Sequence, residues 1–329
     1  MKLKRMKLKR MKLMVTTASI FSISVFSLLR PSVRSLFAAL LLCILPFPPA
    51  AAAHEARVVI EYGYSDARDF HEGLAAVKSN DAWGYIDNLG RVVVPFVHRI
   101  PEAGDFSEGL AFVGDRFIDS DGRVALEGKT FEDAKPFSQG LAAVQSGGRW
   151  GYIDLTGKFV IAPSYEAAGS FSQGLAPVRT GGLWGYIDAG GRLKIPAQFL
   201  GGAPFSEGRA AVETRGLYGY IDLSGRDLAR ASFDEAGPFG NGLAPVKDAS
   251  NYRAWGYVDA QGKIAIPHRY NAARAFREGL APVATDSRWG YIDVLGRMVL
   301  DALYDEARPF HEGLAAVRQE DRWGYIRVR

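Results

Sequence analysis

The stretch Trp83-Gly84-Tyr85-Ile86-Asp87-Asn88-Leu89-Gly90-Arg91-Val92-Val93-Val94-Pro95 decides the fold, because it returns along the whole chain. Its Trp-Gly-Tyr-Ile-Asp core is intact at Trp83, Trp150, Trp184 and Trp289. Val258 replaces Ile in the copy at Trp255, Tyr218 replaces Trp in another, and the copy at Trp323 has Arg327 in place of Asp. One copy is shortened to Arg116-Phe117-Ile118-Asp119. All six tryptophans of the protein occupy this one position. A second marker is a phenylalanine three residues before a glycine, at Phe70, Phe106, Phe137, Phe171, Phe205, Phe239, Phe276 and Phe310. Leu-Ala-x-Val follows each glycine, with Arg209 in the Leu position of one copy. Three residues past the Asp of the core stands a glycine followed by Arg or Lys, and then a short β-branched run that often ends in proline. The period is roughly 34 residues, and a fixed period of this length marks a repeat architecture.

This pattern resembles the WG-repeat family, over residues 54–329 and in eight registered copies. The resemblance implies a binding or scaffold module, mostly bacterial and often exported, with no general enzymatic activity.

The residues themselves predict an all-β unit. Leu-Ala-x-Val, Trp-Gly-Tyr-Ile-Asp and Val-Val-Val are short, rich in β-branched and aromatic types, and bounded by glycine or proline. Asp-x-x-Gly-Arg/Lys fits a type I turn closed by a glycine at positive φ. Each unit therefore reads as a three-stranded antiparallel meander. The link to the next unit, as at Tyr270, Ala273 and Phe276, has the spacing of one helical turn. In the core strand Ile lies on the face expected to be buried, with Trp, Tyr and Asp on the other. The core Gly is expected to let a neighbouring unit approach closely. Three short strands are marginal alone, so units must stack. The structural core is expected from Phe70, Phe106, Phe137, Phe171, Phe205, Phe239, Phe276 and Phe310, with Trp83, Trp150, Trp184, Tyr218, Trp255, Trp289 and Trp323. The favoured arrangement is an open, superhelical or solenoid-like array. The alternative is a closed, propeller-like ring, in which Val58-Val59-Ile60 supplies the strand that the last unit lacks after Tyr325-Ile326.

The first 53 residues read differently. Residues 1–34 hold nine basic residues and no acidic one, Leu36 to Leu45 is apolar, and Ala51-Ala52-Ala53 ends the segment. These are the marks of a secretory signal peptide, with cleavage expected after Ala53 and translation starting at Met1, Met11 or Met14. The protein is then exported, periplasmic or extracellular, and meets the membrane only through the signal peptide before cleavage. Of 40 basic residues nine belong to this segment, which leaves 31 against 36 acidic ones and a net charge of −5 for residues 54–329. Charge gives no case for nucleic acid binding. The single cysteine, Cys43, lies in the signal segment, so disulfides play no part in residues 54–329.

No catalytic constellation emerges. His71-Glu72-Gly73 and His311-Glu312-Gly313 start like a zinc helix but lack the second His. The five histidines sit in scattered registers. Asp119-Ser120-Asp121-Gly122 resembles a calcium loop but matches the turn of every other unit. No cofactor and no metal are expected, and no enzyme. Two polar rows recur: the acidic or amide residue before the turn glycine (Glu72, Glu108, Gln139, Gln173, Glu207, Asn241, Glu278, Glu312), and the core Asp with its basic partner. The expected function is an exported scaffold mediating protein–protein interaction at the cell envelope. The alternative is a glycan-binding module in which exposed Trp or Tyr rings stack on sugars.

Overall fold

A computed structural model describes residues 55–98, 102–250 and 254–328. The expected signal segment lies outside the described residues. The described chain is all β, in eight tandem units, with no helix. In the first unit the strands are β1 (Ala56–Tyr64), β2 (Asp66–Ala67), β3 (Leu74–Ser79), β4 (Ala82–Asp87) and β5 (Val92–His98). The three long strands of the meander are β3, β4 and β5, paired antiparallel in that order. The link forms no helical turn. It adds a fourth strand of two residues, β2, which pairs with β3. Its equivalents, such as Ala272–Ala273, do the same in other units. The shortened second unit keeps only a hairpin, Ala111–Val113 with Arg116–Ile118.

Between β4 and β5 the register slips by bulges on either side of Tyr85, with Trp83 opposite His98, Tyr85 opposite Val94 and Ile86 opposite Val92. The core glycine makes this crossing feasible. A Cβ on Gly84 would stand 2.7 Å from the Val94 carbonyl oxygen, and one on Gly151 would stand 2.6 Å from that of Ile161. The close approach is thus made by the unit's own third strand, and not by the neighbouring unit as the sequence suggested. Proline suits this third strand, because it is the outer edge of its sheet and needs no ladder N–H.

The last unit lacks a third strand of its own, and β1 takes the place. Its partner is Arg322–Val328, with Val58 opposite Ile326, Ile60 opposite Tyr325 and Tyr64 opposite Trp323, and the same pair of register slips. A Cβ on Gly324 would meet the Ile60 carbonyl oxygen at 2.7 Å, as Gly84 would meet Val94. Each sheet stays open, but the array joins head to tail. Of the two arrangements weighed from the sequence, these end contacts are those of the ring. The physical reason is the one behind that alternative: pairing β1 covers the edge the last unit would otherwise expose.

The units are held by aromatic pairs. The core Tyr of one unit meets the repeat Phe of the next at ring-centroid distances of 4.8 Å for Tyr85–Phe106, 4.9 Å for Tyr152–Phe171 and 5.0 Å for Tyr186–Phe205. Tyr325–Phe70 closes the series at 4.9 Å. In the shortened unit Phe117 stands in the Tyr position and meets Phe137. Each Tyr hydroxyl also donates to a carbonyl two residues before that Phe, as Tyr152 to Gly169 at 2.9 Å and Tyr325 to Arg68 at 2.8 Å. All eight repeat phenylalanines are buried. Tyr and Ile of the core strand are both fully buried, so both faces of that strand are core. A stacked sheet has no free face, which is why the one-faced reading of the strand fails. Each aromatic buried in this way stabilises by about 2–3 kcal/mol.

Candidate functional site

The turn after the repeat Phe is a two-residue hairpin. His71 and Leu74 exchange both backbone hydrogen bonds, and Glu72 and Gly73 lie at φ 53° and 78°. Positive φ at both central residues defines the type I′ turn. Glycine takes this conformation freely, but a glutamate there is strained. The side chain compensates by reaching the next unit. The Glu72 carboxylate accepts the N–H of Gly109 at 2.9 Å, and Glu108 that of Gly140 at 3.0 Å. Gln139, Gln173, Glu207, Asn241 and Glu278 serve the turn glycines that follow them in the same way. Glu312 closes the circuit on Gly73 at 2.9 Å. This polar row is therefore an inter-unit belt, with each side chain satisfying a backbone donor. Turns from units three to seven line one cavity, among them Ser138, Ser172, Gln173, Ser206 and Arg277. The belt is thus the inner rim of the ring.

The second polar row is equally structural. Asp87 accepts the N–H groups of Leu89 and Arg91 at 3.0 and 2.9 Å. Asp119, Asp154, Asp188, Asp222, Asp259 and Asp293 repeat the pattern. These hydrogen bonds hold the carboxyl of Asp222 down at about 2, the Ser224 hydroxyl contributing most. Asp119 has the same turn geometry as the others, so its segment is a hairpin connection.

None of the six tryptophans is exposed. Trp83, Trp150 and Trp323 are buried; Trp184, Trp255, Trp289 and Tyr218 are half-buried. Basic side chains lie over several of the rings: Lys135 on Trp150 at 5.1 Å, Arg274 on Trp289 at 4.9 Å and Arg308 on Trp323 at 5.1 Å. None of these rings is an open stacking platform for a sugar. What lies exposed is the residue after the basic residue of the turn in six of the eight units, namely Val92, Val124, Phe159, Leu193, Ile264 and Met298; the fifth unit has Asp227 there. Leu89 and Leu295, at the turn tips, are 67% and 70% exposed.

The inner rim loses its symmetry where the ring closes. The position after the repeat Phe is Ser in four units, but His71 in the first and His311 in the last. The two imidazoles, apparently scattered in the sequence, share a register and stand 4.7 Å apart by ring centroid. Asp69 Oδ2 lies 3.8 Å from His311 Nε2, and Asp105 Oδ2 lies 4.0 Å from His71 Nε2. Asp105 is already paired with the Arg68 guanidinium. Burial pushes the Asp69 carboxyl up to about 6. Burial, with help from His71 and Arg277, pulls His311 down to about 4. Sequence reasoning singled out neither this cluster nor the core tyrosines. The signal for the cluster was the repeated His-Glu-Gly, which acquires meaning only once the ends of the chain meet.

Several solved structures are similar to this chain. A structure described as a eukaryotic initiation factor aligns at TM-score 0.53 and 9% identity, over 78% of this chain and 82% of that one. The bacterial surface component PorZ of Porphyromonas gingivalis aligns at TM-score 0.41 and 10% identity, over 80% of this chain. The extracellular domain of a putative one-component system of B. thetaiotaomicron aligns at TM-score 0.42 and 9% identity, over 82% of this chain. The chain spans 42% and 40% of the length of these last two. At such identities the likeness concerns the fold alone. No curated protein matches the sequence. The profile of the WG containing repeat matches at residues 54–81, 83–114, 116–150, 150–184, 184–218, 218–252, 255–288 and 289–323. With eight consecutive matches over nearly all of residues 54–329, the chain belongs to the WG containing repeat family.

Proposed function

We propose that this chain is an exported, non-enzymatic repeat scaffold that binds a protein partner at the cell envelope through its outer rim. One observation carries the reading: the row of exposed apolar residues from Val92 to Met298, each beside a Lys or Arg. A surface that repeats an apolar and a basic contact in units one to four and again in six and seven suits a partner face offering apolar and acidic side chains. Each unit adds a small contact, and affinity sums over the units engaged. A glycan ligand is the weaker reading, since the tryptophans are buried or half-buried. Export rests on the N-terminal sequence and places the first residue of the exported chain at His54.

The test begins with a photo-crosslinking residue at Phe159, to identify the partner in envelope extracts. The purified partner is then titrated against Val92→Glu, Phe159→Glu and Ile264→Glu, singly and combined. Affinity should fall stepwise, by roughly tenfold per unit, since burying one apolar side chain contributes on the order of 1.5 kcal/mol. If a single change such as Asp259→Ala removed all binding from a folded ring, a localised site would be the better account.

A further inference from the structure

We infer that Asp69, His71 and His311 form a binding site for a late first-row divalent cation such as Zn²⁺, built across the seam where the ring closes. One donor atom from each residue lies within 4.8 Å of the other two. Ligands at about 2.0–2.2 Å from a tetrahedral zinc stand about 3.3–3.6 Å from one another. The observed separation of 3.8 Å between Asp69 and His311 is within a small side-chain rotation of that value. Two imidazoles and one carboxylate are a donor set that such ions favour over Mg²⁺ or Ca²⁺.

An independent observation points to a ligand. Asp69 Oδ1 is buried and has no hydrogen-bond partner among the described residues. A buried carboxylate oxygen left in this state is costly unless something charged completes it. The nearby Arg308 and Arg274 lower the cost of its charge without hydrogen-bonding Oδ1, and Asp105 raises it. The equivalent position before the repeat Phe is Pro in four other units, and only the first two carry Asp. The carboxylate is therefore not part of the repeat's own structural logic, unlike the belt glutamates and the turn aspartates. Asp105 stays with Arg68, which leaves a coordination position for water.

The site has a structural consequence. Asp69 and His71 belong to the first unit and His311 to the last, so the bound ion would tie the two ends of the array and its affinity would depend on closure.

The experiment uses the full chain without a polyhistidine tag, stripped with a chelator and then titrated with Zn²⁺ by calorimetry. Expected are one site per chain, a rise in Tm on adding Zn²⁺, and visible d–d absorption when Co²⁺ replaces it. Affinity should fall at least about 100-fold in His71→Gln and in His311→Gln, beyond what changes around a metal site usually cost. Asp69→Asn tests the third ligand and should retain the fold, being close to isosteric. His98→Gln is the control and should bind as the parent does. Absence of Zn²⁺ binding, or binding unchanged in a His71→Gln/His311→Gln double variant of unaltered Tm, would overturn the inference.

Discussion

At the scale of single residues, the core tyrosine is the side chain on which the inter-unit contact turns. Tyr152 is fully buried between units, its ring against Phe171 and its hydroxyl on the Gly169 carbonyl. The two halves of that contact are separable by mutation. Tyr152→Phe keeps the ring and strands one buried carbonyl, at a cost of about 1–3 kcal/mol. Phe171→Ala removes the partner ring and leaves a cavity, at a cost of about 3–5 kcal/mol. Urea unfolding should show both as a lowered midpoint, with Phe171→Ala the larger. The opposite order would mean that the hydroxyl, and not the ring, carries the contact. The second unit already has Phe117 at this position, so loss of the hydroxyl is compatible with the fold. Sequence alone made the phenylalanine row legible, because it recurs in all eight copies at a fixed distance from the turn glycine. The tyrosine was placed on the wrong side of the argument because strand alternation assigns one face to solvent, whereas in a stack both faces meet a neighbouring unit.

At the scale of the strand and its turns, the same burial sets a limit on alkaline stability. Tyr85, Tyr152, Tyr186, Tyr220, Tyr257, Tyr291 and Tyr325 all have phenols pushed well above the ordinary value of 10.0, chiefly by burial. A pKa raised on folding means stability that is present below the unfolded value and lost as pH rises through the folded one. The ring should therefore be insensitive to these groups at neutral pH and should weaken from about pH 10 upward. Phenolate absorbance and far-UV circular dichroism are expected to change together in that range. Phenols ionising near pH 10 with the dichroism intact would contradict the burial. The turns, by contrast, were readable in advance: Asp-x-x-Gly has a carboxylate that can reach its own backbone, and it does so in seven units. The belt of glutamates and amides was visible as a recurring row but not as a bond to the next unit. That role depends on the φ of the turn and on how neighbours stack, and neither is written in the period of the repeat.

At the scale of the whole ring, the question is what β1 contributes to closure. The repeat phase is equally consistent with a strand that merely starts the array, so the sequence alone could not decide between an open and a closed form. The contacts decide it through particular side chains. Ile60 is 6% exposed, packs with Phe70, Trp323 and Tyr325, and lies under Gly90 of the first unit, as Val94 lies under Gly122. Ala56 and Val328 are opposite one another at the end of the ladder, so a short Gly/Ser turn would join them as a hairpin. A permuted chain can then be opened at the exposed tip between Gly181 and Gly182, both already at positive φ. With residues 1–54 omitted, it retains every closing contact while removing the original ends. We expect it to fold and to melt within a few degrees of the parent. Deleting residues 55–64 from the parent is the counterpart. That variant loses the burial of Ile60, alone worth about 2–5 kcal/mol, and leaves Arg322–Val328 as an unprotected edge. It should melt at a markedly lower temperature or self-associate. If the deletion variant instead melted with the parent as a monomer, β1 would contribute nothing to stability and the ring would be held by its other inter-unit contacts alone.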